Sequence, residues 1–237
     1  MKQLLVLCAT MAATAQVPVQ QFTGTLSGLL TGDDGTALRG GSIVLRLATK
    51  SVPKLRRQTT IWTAITGAGG AFQFQALPEG NYTVCASVPD STWLNPCEWN
   101  FLTPTATVTP QAPAARMNIT LKRGATIPIR IDDSGQLLAQ NEGKTPGAGF
   151  LLGVSSLEPG SFFRLVPLVS QDSGGRNHQI VIPYNTSLTL LVHPTFYHLT
   201  DGAGAALTQS ATTRIPLLVV PGQQVSPIKF TIAGGGK

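Results

Sequence analysis

The densest group of side chains that could bind a ligand lies in one short polar stretch of the chain. Two of the three tryptophans, Trp93 and Trp99, fall within it. Indole rings present flat apolar faces that accept sugar rings or the side chains of a partner protein. Asn95, Glu98 and Asn100 lie beside the tryptophans and can supply directional hydrogen bonds. The stretch therefore predicts a ligand-binding loop, and sugar binding is one of its candidate activities.

A competing interpretation is that the same loop packs rather than binds. Aromatic side chains at the ends of β-sandwiches commonly contribute to packing. One tryptophan would then plug the end of a sandwich. The sequence alone leaves both interpretations open.

The cysteines point to a covalent anchor for this loop. Cys8 lies in an apolar N-terminal segment, so Cys85 and Cys97 are the pair that a mature exported chain would keep. An even pair in an exported protein predicts a disulfide, with two free thiols as the alternative. The bridge would tie the loop to the outward face of the strand that contains Cys85. No histidine or third cysteine lies near the pair at ligand spacing, so no metal site is expected.

The N-terminus has the features of a targeting signal. Lys2 precedes an apolar run from Leu4 to Ala13, and Ala13-Thr14-Ala15 provides a small-x-small cleavage site. We expect residues 1–15 to be a signal peptide cleaved after Ala15, with a buried N-terminal strand or helix as the alternative. Export places the chain outside the cell, in the periplasm or at the cell envelope. No later apolar run is long enough for a transmembrane helix.

Catalytic constellations are not evident. The three histidines, His178, His193 and His198, have no spacing that aligns two ligands on one strand face. The acidic pairs Asp33-Asp34 and Asp132-Asp133 stand in Asx-Gly turn sequences, which explain them without calcium. We therefore expect no enzyme activity, no catalytic residues, no metal and no cofactor.

Charge also restricts the possible partners. Charged residues make up 12% of the chain, about half of the typical ~25%. The net charge is +6, and one basic cluster occurs, at Lys50, Lys54, Arg56 and Arg57. A solvated loop accounts for a cluster of this size, and nucleic-acid binding is not expected.

The elements that would position the loop are short β-strands. Phe72 and Phe74 alternate with glutamines, and Tyr82 and Val84 continue the alternation after a Pro-Glu-Gly-Asn turn. Strands are predicted at 22–31, 42–47, 60–66, 72–75, 81–88 and 116–122, with 104–113 as an extended proline-rich connection. No segment has a convincing helical period. Short strands separated by turn signals predict an all-β sandwich.

Two of these runs, Gly32 to Leu45 and Thr66 to Val84, together resemble the carboxypeptidase regulatory-like domain family. The matching residues are Gly35, Leu38, Gly40, Val44, Thr66, Gly70, Phe72, Phe74, Leu77, Pro78, Gly80 and Tyr82. Ala37 and Gly67 depart from the family pattern, which has a proline and an acidic residue there. The resemblance covers roughly residues 22–123. It implies a seven-stranded, transthyretin-like Greek-key sandwich of the carbohydrate-binding-like group, which in that family serves as a non-catalytic folding, spacing or binding module.

The second half of the chain repeats this pattern faintly. Three turn features recur at one offset of 105 residues: Gly69-Gly70 matches Gly174-Gly175, Pro78 matches Pro183, and Pro89 matches Pro194. We interpret this as a tandem repeat with a diverged second copy, and chance alignment of common turn residues is the alternative.

These patterns together predict two tandem Greek-key sandwiches, transthyretin-like or immunoglobulin-like, behind a cleaved signal peptide. The expected units are residues 22–123 and 124–233, followed by a flexible tail at 234–237. We expect a non-enzymatic structural or protein-interaction module of the cell envelope. A carbohydrate-binding module that uses Trp93 and Trp99 is the main alternative, and an accessory subunit of an exported hydrolase is a distant one. The expected partner is a protein or polysaccharide at the cell surface.

Overall fold

The computed structural model describes residues 23–48, 61–99, 103–141, 149–156, 163–208 and 211–235. The predicted signal peptide, the basic cluster around Lys54 and the candidate ligand residue Asn100 lie outside these ranges. Across the described ranges no helix is long and apolar enough to cross a membrane.

The first half of the chain folds into a β-sandwich, called here the first sandwich. Its strands are β1 (Gly24–Gly32), β2 (Ser42–Leu47), β3 (Ile61–Ile65), β4 (Ala71–Leu77), β5 (Gly80–Ser87), β6 (Thr105–Val108), β7 (Ala114–Arg116) and β8 (Ile119–Leu121). One sheet has the order β4-β1-β7, with β8 also pairing with β1, and the other has the order β3-β2-β5-β6. β1 is antiparallel to β4 and parallel to β7 and β8.

Alternation along the strands builds the core of the first sandwich. Phe72 and Phe74 are buried on β4, and the glutamines between and after them are exposed. Tyr82 is fully buried on β5, and its hydroxyl donates a hydrogen bond to the Pro78 carbonyl at 2.6 Å. The turn before β5 is therefore fixed by the first core residue that follows it.

The second half forms the second sandwich. Its elements are β9 (Gly124–Asp132), α1 (Leu137–Asn141), β10 (Phe150–Ser156), β11 (Phe163–Leu165), β12 (Leu168–Asp172), β13 (Gly175–Pro183), β14 (Leu188–Pro194), β15 (Tyr197–Asp201), β16 (Thr213–Leu217) and β17 (Ile228–Gly235). The sheets have the orders β12-β13-β9-β17-β15 and β11-β10-β14-β16.

Strand pairing in the second sandwich repeats that of the first. β9 is antiparallel to β13 and parallel to β17, as β1 is to β4 and to β7 and β8. The order β11-β10-β14-β16 corresponds to β3-β2-β5-β6. Gly70 lies directly before β4 and Gly175 is the first residue of β13, and both have positive φ angles. The fold is therefore two tandem β-sandwiches, as the sequence predicts, with β12 and β15 as additional edge strands in the second.

Three sequence-based expectations need correction. The proline-rich connection contains a strand, because β6 lies between Pro104 and Pro110 and pairs with β5 through residues that keep their amide hydrogens. Residues 234 and 235 are not tail, since Gly234 and Gly235 pair with β15 at the end of β17. A short helix, α1, also forms because the Asp133 carboxylate accepts hydrogen bonds from the Leu137 and Leu138 amides at 2.9 and 2.8 Å.

The glycine turn before β4 provides a matched test of this packing. Gly69 and Gly70 have φ angles of +67° and +74°, but only Gly70 is confined: a Cβ there would lie 2.3 Å from the Leu30 carbonyl oxygen. We expect Gly69→Ala to cost about 1–2 kcal/mol from its φ angle alone. Gly70→Ala should cost about 1–3 kcal/mol more because of the contact. Urea unfolding of both variants measures the difference, and equal losses of stability would contradict it.

Candidate functional site

The segment of residues 88–99, which contains the described part of the predicted ligand loop, is called here the Trp loop, and it leaves the first sandwich at the end of β5. Short-range hydrogen bonds give it a defined shape. The Ser91 hydroxyl donates to the Val88 carbonyl at 2.7 Å, and the Asn95 side-chain oxygen accepts from the Cys97 amide at 3.0 Å. The carboxamide oxygen of Asn95 therefore stabilises a turn within the loop.

The predicted disulfide is present. Cys85 and Cys97 are joined with an S–S distance of 2.03 Å and a Cα–Cα distance of 5.5 Å. Cys85 lies on β5 between Val84 and Ala86, whose side chains are in the core of the first sandwich. Its own side chain therefore points to the opposite face of the sheet, where the loop covers it and leaves it 5% exposed. The bridge fastens the Trp loop to the outside of β5.

Backbone pairing then joins the loop to the segment that connects the two sandwiches. The Leu94 amide donates to the Lys122 carbonyl at 2.9 Å, and the Gly124 amide donates to the Thr92 carbonyl at 2.8 Å. Trp93 and Arg123 form an isolated antiparallel bridge between these two bonds. The loop thus acts as a short strand alongside the connection.

Two side chains of the loop belong to the core of the second sandwich. Leu94 is 2% exposed and Trp99 is 5% exposed, and both lie in the hydrophobic cluster of that sandwich. Arg164 of β11 lies over the Trp99 ring at 5.4 Å and forms an ion pair with Glu98. Trp99 is therefore covered on the side of the second sandwich and has little surface left for an external ligand.

Trp93 is held by the first sandwich. It packs against the hydrophobic cluster of that sandwich and is only partly buried. A side chain at position 32 would reach within 2.3 Å of the Trp93 indole, so the absence of a side chain at Gly32 leaves room for the ring. The Arg123 guanidinium stacks over the indole at 4.3 Å and pairs with Asp34 at 2.7 Å. Hydrogen bonds from Arg123 and Thr36 lower the pKa of Asp34 to about 2, so this carboxylate stays ionised.

The structure brings four of the five predicted ligand residues together around a cleft between the two sandwiches. The cleft has a volume of about 460 Å³, and its walls include Trp93, Asn95, Glu98, Trp99, Arg164 and Gln179. Of these, Arg164 and Gln179 belong to the second sandwich and were not predicted. The fifth predicted residue, Asn100, lies outside the described residues.

The remaining chemically interesting residues are dispersed. Within the described ranges, no three His, Cys, Asp or Glu side chains come close enough together to hold a metal ion. The Asp33 carboxylate accepts from the Arg123 amide at 3.3 Å, and Asp133 caps α1. His193 lies within 3.1 Å of the Thr212 hydroxyl, and His198 is exposed on β15.

Comparisons with known proteins give distant likenesses. Neither protein-family models nor curated protein sequences match the chain. Among solved structures, it is similar to a streptococcal ancillary pilin, with 13% identity and a TM-score of 0.41 over 90% of this chain and 63% of that one. A shaft pilin from Lactobacillus rhamnosus GG has 13% identity and a TM-score of 0.32, over 91% and 99% of the two chains.

An enzyme is also among the similar structures. The 3-chlorocatechol 1,2-dioxygenase from Rhodococcus opacus has 10% identity and a TM-score of 0.31, over 44% of this chain and 61% of that one. The chain spans less than two thirds of both the ancillary pilin and the dioxygenase. At these scores none of the likenesses indicates a function.

The disulfide generates a direct prediction for stability. Replacing both cysteines, as Cys85→Ala with Cys97→Ala, should lower the free energy of unfolding by about 3 kcal/mol on the chain-entropy model. Urea unfolding with and without reductant measures the loss. The native chain should be weakened by reductant and the double variant should be indifferent to it. Two alkylatable thiols in the untreated mature chain would contradict the bridge.

Proposed function

We propose that this chain is an exported, non-enzymatic module that holds two β-sandwiches in a fixed arrangement as a structural or protein-interaction element of the cell envelope. The proposed units are residues 22–123 and 124–233, behind a signal peptide cleaved after Ala15. The proposed partner is a protein or polysaccharide at the cell surface.

The observation that supports this proposal is that the Trp loop inserts two side chains into the core of the second sandwich. Leu94 and Trp99 leave the first sandwich and complete the core of the second. Their side chains are used for packing inside the molecule. A loop of this kind supports a structural role because it fixes one unit against the other.

Energetics favour a fixed junction over a flexible one. Adjacent domains with small polar interfaces move relative to each other by default. Here, emptying a buried leucine or tryptophan site costs about 2–5 kcal/mol, and the loop carries one of each. The disulfide holds the base of the loop, so its anchors cannot withdraw without disturbing β5.

The cleft beside the Trp loop supports a second candidate function, the binding of a neutral sugar. Its volume of about 460 Å³ and its wall of partly exposed Trp93, Asn95 and Glu98 provide an aromatic surface with polar neighbours. Such surfaces bind sugar rings by stacking and hydrogen bonding. Trp93 is the side chain that would carry this activity, since Trp99 is almost fully buried.

The fixed arrangement is tested by measuring how the two sandwiches tumble. ¹⁵N relaxation of the mature chain should give one rotational correlation time for both, because the Trp loop joins them. Leu94→Ala should loosen the junction and give two shorter correlation times, and it should lower stability by about 2–5 kcal/mol.

A core substitution away from the junction serves as the control. Leu26 is fully buried in the first sandwich and is not part of the second sandwich's cluster. Leu26→Ala should lower stability by a similar amount, about 2–5 kcal/mol, and leave a single correlation time. Independent tumbling of the sandwiches in the unmodified chain would overturn the proposed function.

Sugar binding is tested separately by retention on immobilised polysaccharides and on a glycan array. If the second candidate is correct, Trp93→Ala should lose retention on a polysaccharide that holds the unmodified chain. Asn118→Ala, on the exposed surface of the first sandwich, is the control and should retain binding. Failure of the unmodified chain to bind any glycan would rule out this candidate and would leave the structural proposal unchanged.

A further inference from the structure

His178 occupies an inward-facing position in the second sandwich. It lies on β13, two residues before the buried Ile180, and therefore on the same face of the strand. It is paired with Ile129 of β9 and with Leu168 of β12. The ring meets Phe150 of the opposite sheet edge-on, with 5.9 Å between the ring centroids. On β4 of the first sandwich, the inward position opposite Gly28 of β1 is held by the apolar ring of Phe72.

The imidazole is poorly suited to carry a charge at this position. Both of its ring nitrogens are buried, and among the described residues neither makes a hydrogen bond of good geometry, although the carbonyls of Val166 and Pro167 lie nearby. Burial lowers the pKa of His178, and the positive charge of Arg176 lowers it further. The backbone carbonyls of Val166 and Pro167 act in the opposite direction, but burial is the largest influence.

The charged groups around His178 do not compensate a proton. Arg176 lies on the same strand and on the same face, and its guanidinium donates to the Gln171 side chain at 3.1 Å. Arg130 and Asp172 are paired with each other, and Arg130 also bonds to Asn177. Since Asn177 alternates with His178 along β13, this network lies on the opposite face of the sheet. The neighbours from β9 and β10, Ile129 and Phe150, carry no charge.

The strands that cover His178 lie at sheet edges. All five residues of β12 are exposed, and among the described residues β12 pairs with β13 alone. The three described residues of β11 pair with β10 alone. Val166 and Pro167 connect the two strands, and the connection is held by the buried Val166 side chain and by two backbone hydrogen bonds, from the Val166 amide to the Leu152 carbonyl at 3.0 Å and from the Gln179 amide to the Pro167 carbonyl at 3.2 Å. Edge segments with few buried contacts open at low free energy, so displacement of β11 and β12 is the easiest way to hydrate a protonated ring.

The same segment also holds the junction between the sandwiches. Arg164 of β11 lies two residues before Val166, covers Trp99 and pairs with Glu98. Any outward movement of β11 would draw the guanidinium away from the Trp loop. Protonation of His178 is therefore linked, through β11 and the following Val166 and Pro167, to the contact of Arg164 with the Trp loop.

We propose that His178 is a pH-sensitive latch, and that protonation of its ring releases β11 and β12 and loosens the hold of the second sandwich on the Trp loop. The release of β11 and β12 is independent of the function proposed above, whereas its effect on the junction rests on that function.

The direction of the pH dependence follows from linkage. The ordinary pKa of histidine is about 6.5, and the folded chain has a lower one at position 178. Below about pH 6.5 the unfolded or opened chain therefore binds more protons than the closed one. The contribution of the neutral ring to stability is complete above that pH and is lost as the pH falls towards the lowered pKa.

Hydrogen–deuterium exchange of peptides from β11 and β12 tests the latch at about pH 7.5 and about pH 5, after correction for intrinsic exchange rates. Protection of these peptides in the mature chain should fall severalfold at the lower pH, because the opened segment binds the proton more tightly than the closed one. His178→Phe keeps an aromatic ring at this position but removes the titrating group, so its protection should be the same at both pH values. His198→Gln, at an exposed histidine, should behave as the unmodified chain.

NMR titration of the unmodified chain provides a test that needs no variant. The His178 ring should titrate below its ordinary pKa, and the Trp99 indole signal should shift over the same pH range. A His178 pKa at or above its ordinary value, or equal loss of protection in His178→Phe, would overturn the latch. Release of β11 and β12 with a constant Trp99 signal would overturn the connection to the junction. Separate rotational correlation times for the two sandwiches already at about pH 7.5 would refute the proposed function. The hydrogen–deuterium exchange comparison would still show whether protonation of His178 releases β11 and β12.

Discussion

The insertion of Leu94 and Trp99 into the second sandwich is the constraint on which the relation between the two halves depends. By chain order these residues belong to the first sandwich, and by packing they belong to the second. The Cys85–Cys97 bridge prevents the loop from leaving the first sandwich. Gly124 accommodates the approach of the loop, because a side chain there would reach within 2.8 Å of the Leu94 side chain. The disulfide, the burial of Leu94 and Trp99, and the missing side chain at Gly124 thus all stabilise the same junction.

Local pattern was enough to predict most of the strands. β2 has the predicted bounds, Ser42–Leu47, because Ile43, Leu45 and Leu47 occupy every second position there. β6 was missed because the prolines around it dominate the pattern, although none lies within Thr105–Val108. The short helix α1 depends on a cap by Asp133, which the sequence interpretation assigned to an Asx-Gly turn. Such elements are decided by a few hydrogen bonds that periodicity does not report.

The sequence identified the bridge but not the use of the loop that it holds. Cysteine count predicts the Cys85–Cys97 pair that the structure contains, and tryptophan spacing points to the loop that lies between the two sandwiches. The alternative in which a tryptophan packs is closer to the structure, but its partner is the neighbouring sandwich rather than its own. Arg164 and Gln179 had no signal in the sequence, since their place at the cleft arises only when the two units meet. Contacts between units depend on tertiary geometry, which a local pattern does not contain.

The order in which the chain is made adds a consequence of the shared loop. Trp99 precedes every strand that buries it, and β9 cannot complete its sheet until β17, near the end of the described residues, pairs beside it in parallel. Pairings between distant segments form slowly because their loop-closure entropy must first be overcome. A newly made first sandwich would therefore carry an exposed indole and leucine during the synthesis of the second. Such an incomplete chain exposes apolar surface and is prone to aggregate, and the disulfide holds these side chains on the outside of β5. A chaperone would therefore be useful until the last strand has paired.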